Sequence, residues 1–208
     1  RTRSERRIGL GDVLDAVVPA ARRLQEQGKI RFFGVTALGE TGALHRALAS
    51  GAIDTAQVCL NLLNPTAVHA VPSGFPAQDF DQLAGLGHEH GVGTIGIRVL
   101  AGGALSGEIA RHPVAIPAVD PIASGPDYAT DAAHARVFEP LVTEGFATSV
   151  LEAAFRFALS TDAMSTVLIG TSDLAQLEFA AAAVAKGPLP VPALDRLRGL
   201  WSELATTK

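Results

Sequence analysis

The sequence predicts an α/β fold of (βα)8 TIM-barrel type, with about four parallel strands and surrounding helices that make up the C-terminal half of such a barrel. Three observations predict it. Short apolar segments alternate with helical ones, with no hairpin signal between strands, which implies parallel strands and right-handed crossovers. Residues 28–36, Gly-Lys-Ile-Arg-Phe-Phe-Gly-Val-Thr, run from a helix end through a short strand to a hydroxyl. The long insertions, 65–76 and 108–127, follow strands, and in a parallel barrel such loops gather on the C-terminal face, where ligands bind. The 28–36 unit comes where a whole barrel has already spent several units. Residues 1–208 therefore read as one domain, truncated at its N-terminal side.

The elements follow in order. Asp12 to Gln27 places Val13, Leu14, Val17, Val18, Ala21 and Leu24 near a 3.6-residue period, a helix with Pro19 as a kink or break and Gly28 as its end. Ile30 to Val35 reads as a strand with Thr36 at its end. Glu40 to Ser50 is a helix stopped by Gly51, and Ile53 to Leu60 a second strand leading into Asn61-Leu62-Leu63-Asn64-Pro65. Asp79 to His90 is a helix and Thr94 to Val99 a third strand, followed by the glycine-rich 100–107. An excursion, 108–127, carries four prolines. Helices then cover Tyr128–Thr143 and Thr148–Leu159. Thr166 to Ile169 is a fourth strand, and Leu174–Ala185 and Ala193–Leu204 are helices.

Composition narrows the function. Apolar residues at 48% describe a globular chain, and a net charge of -4 argues against nucleic acid or an anionic membrane as partner. Arg1, Arg3, Arg6 and Arg7 read as a solvated front rather than a binding arm. No apolar run reaches the roughly 18–20 residues of a membrane span, and no signal peptide is visible. Cys59 is alone, so no internal disulfide forms, which suits a reducing, cytoplasmic setting. The chain does not begin with Met.

Chemistry is sought just past each strand: Thr36, Leu60–Asn64, Leu100–Gly107 and Gly170–Ser172. Gly170-Thr171-Ser172-Asp173 enters a helix, with Thr171 or Ser172 as N-cap, and serves either as an ordinary cap or as a phosphate cradle. The glycines of 100–107 permit close approach of a ligand, or simply a turn. Gln57, in an otherwise apolar strand, needs a partner in backbone or ligand. Arg98 either pairs at the surface or clamps a phosphate or carboxylate. Gly91-Val-Gly93-Thr-Ile-Gly96 matches G-x-G-x-x-G, but it leaves a helix and opens a strand, the reverse of the dinucleotide-binding order. His88-Glu89-His90 spaces its histidines badly for shared metal ligation on a helix, and Tyr128, the one tyrosine, follows a long loop. No metal site and no general acid are read.

Taken together these segments resemble the aldo-keto reductase family over about Val13 to Leu200. They are Gly28–Thr36, then Asp54 and Gln57 with Asn61-Leu62-Leu63-Asn64, then Leu100–Gly107, and finally Thr166–Ser172 with Gln176-Leu177-Glu178. The resemblance implies a (βα)8 barrel binding NADP(H) or NAD(H) across its C-terminal face, with hydride transfer to a small-molecule carbonyl and no metal. It assigns Thr36 and Gln57 to the nicotinamide carboxamide and the loop from Leu100 through Ala101, Gly102 and Gly103 to the pyrophosphate. Gly170, Thr171 and Ser172 fall to the adenosine phosphate, and Gln176 to the adenine. Four departures stand out. Ala37 replaces an Asn, Ile97 stands where an aromatic ring stacks on the nicotinamide, Arg98 follows it in place of a small hydroxyl, and Ala180 replaces an Asn. No Lys or Arg lies in Gly170–Asp173, which leaves NADP and NAD as alternatives. The family's Asp, Tyr, Lys and His would lie before Arg1, so no catalytic residue is assigned. The parent protein is expected to be a reductase and this chain alone inactive, with two unpaired sheet edges and an exposed face prone to self-pairing. The competing readings are a non-catalytic half-barrel interaction module and an unrelated barrel lyase or isomerase. The substrate pocket is expected to take Phe75 and Phe80 from the loop region; oligomeric state is not legible.

Overall fold

The structure, a computed structural model, describes residues 8–206. The four arginines of the extreme N-terminus lie outside them. Four strands, β1 (Gly34–Thr36), β2 (Thr55–Cys59), β3 (Gly93–Ile97) and β4 (Thr166–Val167), form one parallel sheet in the order β1-β2-β3-β4. Each crossover carries helix, so every strand points the same way. Among the described residues β1 and β4 each have one strand neighbour.

The first helical stretch runs α1 (Leu10–Asp12), a π-helical turn Val13–Val17, and α2 (Val18–Glu26). The irregularity expected at Pro19 sits one turn upstream, so that Pro19, which has no N–H to give, falls at the start of α2. The strand expected over Ile30–Val35 is shorter, Gly34–Thr36. Side chains have replaced the ladder before it: the Phe33 N–H donates to Asp54 Oδ2 at 2.7 Å, and Gln25 Nε2 donates to the Arg31 carbonyl at 3.0 Å. Gly34 opens the strand because a Cβ there would lie 2.1 Å from Thr55 Oγ1 and 2.7 Å from the Thr55 carbonyl oxygen.

Helix α3 (Thr41–Ala49) starts where the Glu40 carboxylate accepts from the Gly42 and Ala43 N–H groups, at 2.8 and 2.6 Å. Helix α4 (Leu83–Glu89) is shorter than the expected Asp79–His90, because Asp81 and Gln82 take positive φ, 47° and 56°, and the Gln82 N–H turns to the Thr66 carbonyl. The expected helix Tyr128–Thr143 is broken into α5 (Tyr128–His134), a 3₁₀ turn over Ala135–Phe138, and α6 (Pro140–Thr143), with Pro140 restarting the helix. Helices α7 (Val150–Ala158), α8 (Leu174–Ala185) and α9 (Val191–Thr206) complete the chain. Strand β4 pairs over two residues rather than the expected four, with the Leu168 N–H still reaching the Gly96 carbonyl at 2.8 Å.

Burial alternates along the strands. Ala56, Val58 and Thr94 are buried, and Leu44, Leu48, Leu83 and Ala84 of α3 and α4 join their core. The other parity, Thr36, Gln57, Ile95, Ile97 and Thr166, is exposed or half-buried. Cys59 shares that parity but is buried at the top of β2. A larger core gathers Leu60, Leu62 and Leu63 with Ala104, Leu105, Phe138, Phe157, Leu197 and Trp201. Trp201 ties α9 to the segment after β2 by donating Nε1–H to the Leu62 carbonyl at 3.0 Å. The Glu152 carboxylate, in the first turn of α7, is buried and accepts from Lys186 at 2.6 Å, Arg156 at 3.1 Å and the Thr148 hydroxyl at 2.5 Å. Burial alone would raise its pKa, but these donors override it and hold the carboxyl at about 2.

Candidate cofactor site

The C-terminal ends of the four strands share one edge of the sheet. On β1 and β2, Thr36 and Gln57 are register partners, and the Thr36 hydroxyl donates to Gln57 Oε1 at 3.1 Å. The backbone beneath is fixed, with the Ala37 N–H on the Gln57 carbonyl at 2.8 Å. Thr36 is exposed and Gln57 half-buried; with Oε1 accepting from Thr36, the Gln57 amide N–H₂ retains its two donors.

Past β3 the chain leaves regular geometry. Ile97 is half-buried on the open face, and Arg98 has φ 60°, with a carbonyl that accepts from Ala101 N–H at 2.7 Å and Asn61 Nδ2 at 2.9 Å. Leu100 leads into a 3₁₀ turn, Ala101–Ser106, in which Ala101, Gly102 and Gly103 have φ of 50°, 70° and 106°. A Cβ on Gly102 would meet Val119 Cγ1 at 2.7 Å and an Arg98 guanidinium nitrogen at 2.9 Å. The Arg98 cation therefore lies along this turn.

The excursion 108–127 folds back over it. Arg111 donates to the Gly102 carbonyl and the Ile116 carbonyl, each at 2.8 Å, and lies 5.1 Å from the Tyr128 ring centre. The Tyr128 hydroxyl donates to the Glu108 carbonyl at 3.2 Å. Further on, His112 Nε2 stands 3.2 Å from Asp173 Oδ2, so the excursion spans from the Gly102 turn to the start of α8.

At that start the N-cap is Asp173, not Thr171 or Ser172. Asp173 has the extended backbone, and its Oδ1 accepts from the Gln176 N–H at 2.8 Å. Carboxylate outcompetes hydroxyl here because it accepts more strongly at a helix N-terminus. Gln176 Oε1 in turn accepts from the Ser172 N–H at 2.8 Å. Gly170 and Thr171 are exposed, and no heavy atom lies within 4 Å of a Cβ placed on Gly170.

Asn61 and Asn64, singled out in the sequence, are buried and pin the loop after β2, Asn64 through its amide to the Gln78 and Ala123 carbonyls at 3.0 and 2.5 Å. Asp131, Arg111 and His112 escaped the sequence reading. Asp131 anchors the end of the excursion by accepting from Ser124 Oγ at 2.6 Å and Gly125 N–H at 2.8 Å. Arg111 and His112 were hidden in a proline-rich stretch, although two basic residues side by side in a loop after a strand are a usable signal. Phe80, in contrast, was expected at the pocket and is fully buried among α3 and α4. Among the described residues there is no group of three or more His, Cys, Asp or Glu that could hold a metal, and no helix long and apolar enough to cross a membrane. His88, Glu89 and His90 form an exposed helix end.

The model of the aldo/keto reductase family matches residues 10–202. The chain belongs to the aldo/keto reductase family. Among solved structures it is similar to the aldo-keto reductase AKR11C1 from Bacillus halodurans. The apo form is 20% identical, has a TM-score of 0.62, and is matched over 97% of this chain and 60% of that one. The holo form gives 20% and 0.60, over 94% and 57%. The glycerol dehydrogenase AKR11B4 from Gluconobacter oxydans gives 19% and 0.60, over 92% and 55%. The chain thus spans under two thirds of the length of these aldo/keto reductases, and at such identities they share the fold with it. A comparison with curated proteins finds no match.

Proposed function

We propose that this chain supplies the cofactor-holding half of an NAD(P)H-dependent carbonyl reductase. The observation that carries the reading is the hydroxyl–amide pair of Thr36, at the end of β1, and Gln57, beside it on β2. A nicotinamide carboxamide offers one acceptor and two donors, and the free Gln57 amide hydrogens with the Thr36 hydroxyl complement it. The residues present fit the rest of the group as well. Arg98 provides a cation beside the Gly102–Gly103 turn for a pyrophosphate, and Ile97 offers an apolar surface for the nicotinamide ring. Gly170, Thr171, Ser172 and Gln176 lie at the adenosine end. When bound, the cofactor would supply hydride for a carbonyl. This chain's residues orient it, and the excursion 108–127 shields the turn after β3 from water.

Among the described residues of the proposed site we assign no proton donor for the carbonyl oxygen. The Tyr128 hydroxyl is engaged with the Glu108 carbonyl, in the excursion rather than at a strand end. Chemistry is therefore assigned to the complete parent protein, a cytoplasmic reductase of small carbonyl compounds, and the 208-residue chain is expected to bind without turnover.

The test is a titration of the chain with NADH and NADPH, followed by nicotinamide fluorescence. Gln57→Leu and Thr36→Val should each weaken binding about five- to tenfold, the value of one or two hydrogen bonds. Absence of binding by the unaltered chain would overturn the reading. It would favour an interaction module using the half-exposed sheet face of Gln57, Ile95 and Ile97.

A further inference from the structure

We propose that this chain pairs with a second copy of itself edge to edge, β4 of each beside β1 of the other, about a two-fold axis running in the strand direction. The proposal is independent of the cofactor reading. It starts from the two edges of the sheet. Among the described residues β1 and β4 each have a strand on one side only, and all four strands run parallel. The backbone groups on the other side of each are a template for a further strand. Both edges also carry exposed apolar side chains. Phe32, two residues before β1, is 67% exposed, and Leu168, just past β4, is 50% exposed. Helix α8 has only Gln176 and Glu178 as polar residues, yet it buries Ala180 and Ala183 and leaves Leu174, Leu177, Phe179 and Val184 exposed. A helix apolar on all sides belongs under cover.

Charge singles out a second copy as the partner. The segment leading into β1, residues 18–33, carries Arg22, Arg23, Lys29 and Arg31 against Glu26 alone. The segment around β4, residues 161–185, carries Asp162, Asp173 and Glu178 and no Lys or Arg. Asp173 is committed to the α8 cap and to His112, but Asp162 and Glu178 are exposed, as are Arg23, Lys29 and Arg31. One edge is therefore basic and the other acidic, so each attracts the opposite edge of a copy and repels its like edge. Direction agrees with charge. Parallel pairing sets the N-terminal ends of β4 and of the copy's β1 at one level. Asp162 precedes β4 by four residues, and Lys29 and Arg31 precede β1 by five and three, so the opposite charges fall at the same end. At that end an open cleft beside β4, lined by Ala158, Met164, Thr166, Val167 and Val184, lies where Ile30–Phe33 of the copy would run. Two four-stranded parallel sheets joined at both edges make eight strands, the number at which such a barrel closes, and leave no edge to recruit a third copy.

The experiment measures the mass of the chain in solution by sedimentation velocity, at low and at high salt, for the unaltered chain and two charge-reversed variants. One carries Lys29→Glu with Arg31→Glu, the other Asp162→Lys with Glu178→Lys. Circular dichroism verifies that each keeps its fold. The unaltered chain should sediment at twice its 21.5 kDa, with association weakened by salt. Each variant alone brings like charges together at both seams and should associate at least about tenfold more weakly. Mixed in equal amounts, the two variants should recover the dimer, because each then meets opposite charge at both seams. A monomer, or a ladder of higher species in place of a dimer, would overturn the proposal. So would variants that dimerise as well as the unaltered chain, or a mixture that stays monomeric.

Discussion

Replacing Glu152 by Gln removes a negative charge that three side chains converge on in the first turn of α7. The carboxyl moves from an ordinary value of 4.5 down to about 2 in the fold. That difference, at ~1.4 kcal/mol per pH unit, corresponds to about 3 kcal/mol of stabilisation. Lys186 is half exposed, so screening reduces the figure to about 2–3 kcal/mol. The sign follows from the direction: the fold prefers the charged form, so the stabilisation is complete above 4.5 and is lost as pH falls toward 2. Urea unfolding of Glu152→Gln near neutral pH should show the variant less stable by that amount, with an unaltered dependence on urea. Near pH 3 the gap between the two proteins should narrow to about 1 kcal/mol. A gap that stays constant with pH would refute the reasoning, since it would mean that shape rather than charge holds Glu152 in place.

Other perturbations probe other parts of the fold. Gly34→Ala should cost about 2–3 kcal/mol in thermal unfolding, because its Cβ would sit 2.1 Å from Thr55 Oγ1 and 2.7 Å from the Thr55 carbonyl oxygen. Trp201→Phe should cost about 1–2 kcal/mol by leaving the buried Leu62 carbonyl without its donor. His69 packs between Phe157 and Trp201, with ring centres 5.8 and 5.3 Å away. Burial, helped by the charge of Arg198, pushes its imidazole below 6.5, so the fold prefers it neutral and stability should fall as pH drops below that value. His69→Phe should flatten this loss between about pH 7 and pH 5; a profile parallel to that of the unaltered chain would remove His69 as the cause.

Much of the architecture was legible because local and tertiary signals agree. Helix α8 runs over Leu174–Ala185 as read, where an Asp cap and an alanine-rich run leave little competition. Gly51 closes α3 for a comparable reason. Reading failed where side chains take over backbone partners. Asp54 captures the Phe33 amide, so apolar Ile30–Phe33 does not join the sheet although its composition suits a strand. Asp81 and Gln82 enter left-handed geometry that no periodicity foretells, and α4 starts late. Thr36 stood out in the sequence at a strand end and Gln57 as a polar residue in an otherwise apolar strand; their contact follows from parallel register. The Asp173 cap was misread because a run of hydroxyls precedes it. The His112 pair with Asp173 was not legible because it joins residues 61 positions apart through a loop without periodicity.

The meagre last strand has a consequence for motion. Strand β4 pairs over two residues, and α8 buries only Ala180 and Ala183 while leaving Leu174, Leu177, Phe179 and Val184 exposed. The unit from Thr166 to Ala185 is therefore the least anchored strand–helix pair in the sheet, and its amides should exchange with deuterium ahead of those of β2 and β3. The turn into α8, where the adenosine end of the cofactor is proposed to lie, rides on this unit. If a nucleotide binds there as proposed, its affinity includes the cost of ordering the unit, so it should slow exchange across all of α8 rather than at its first turn alone.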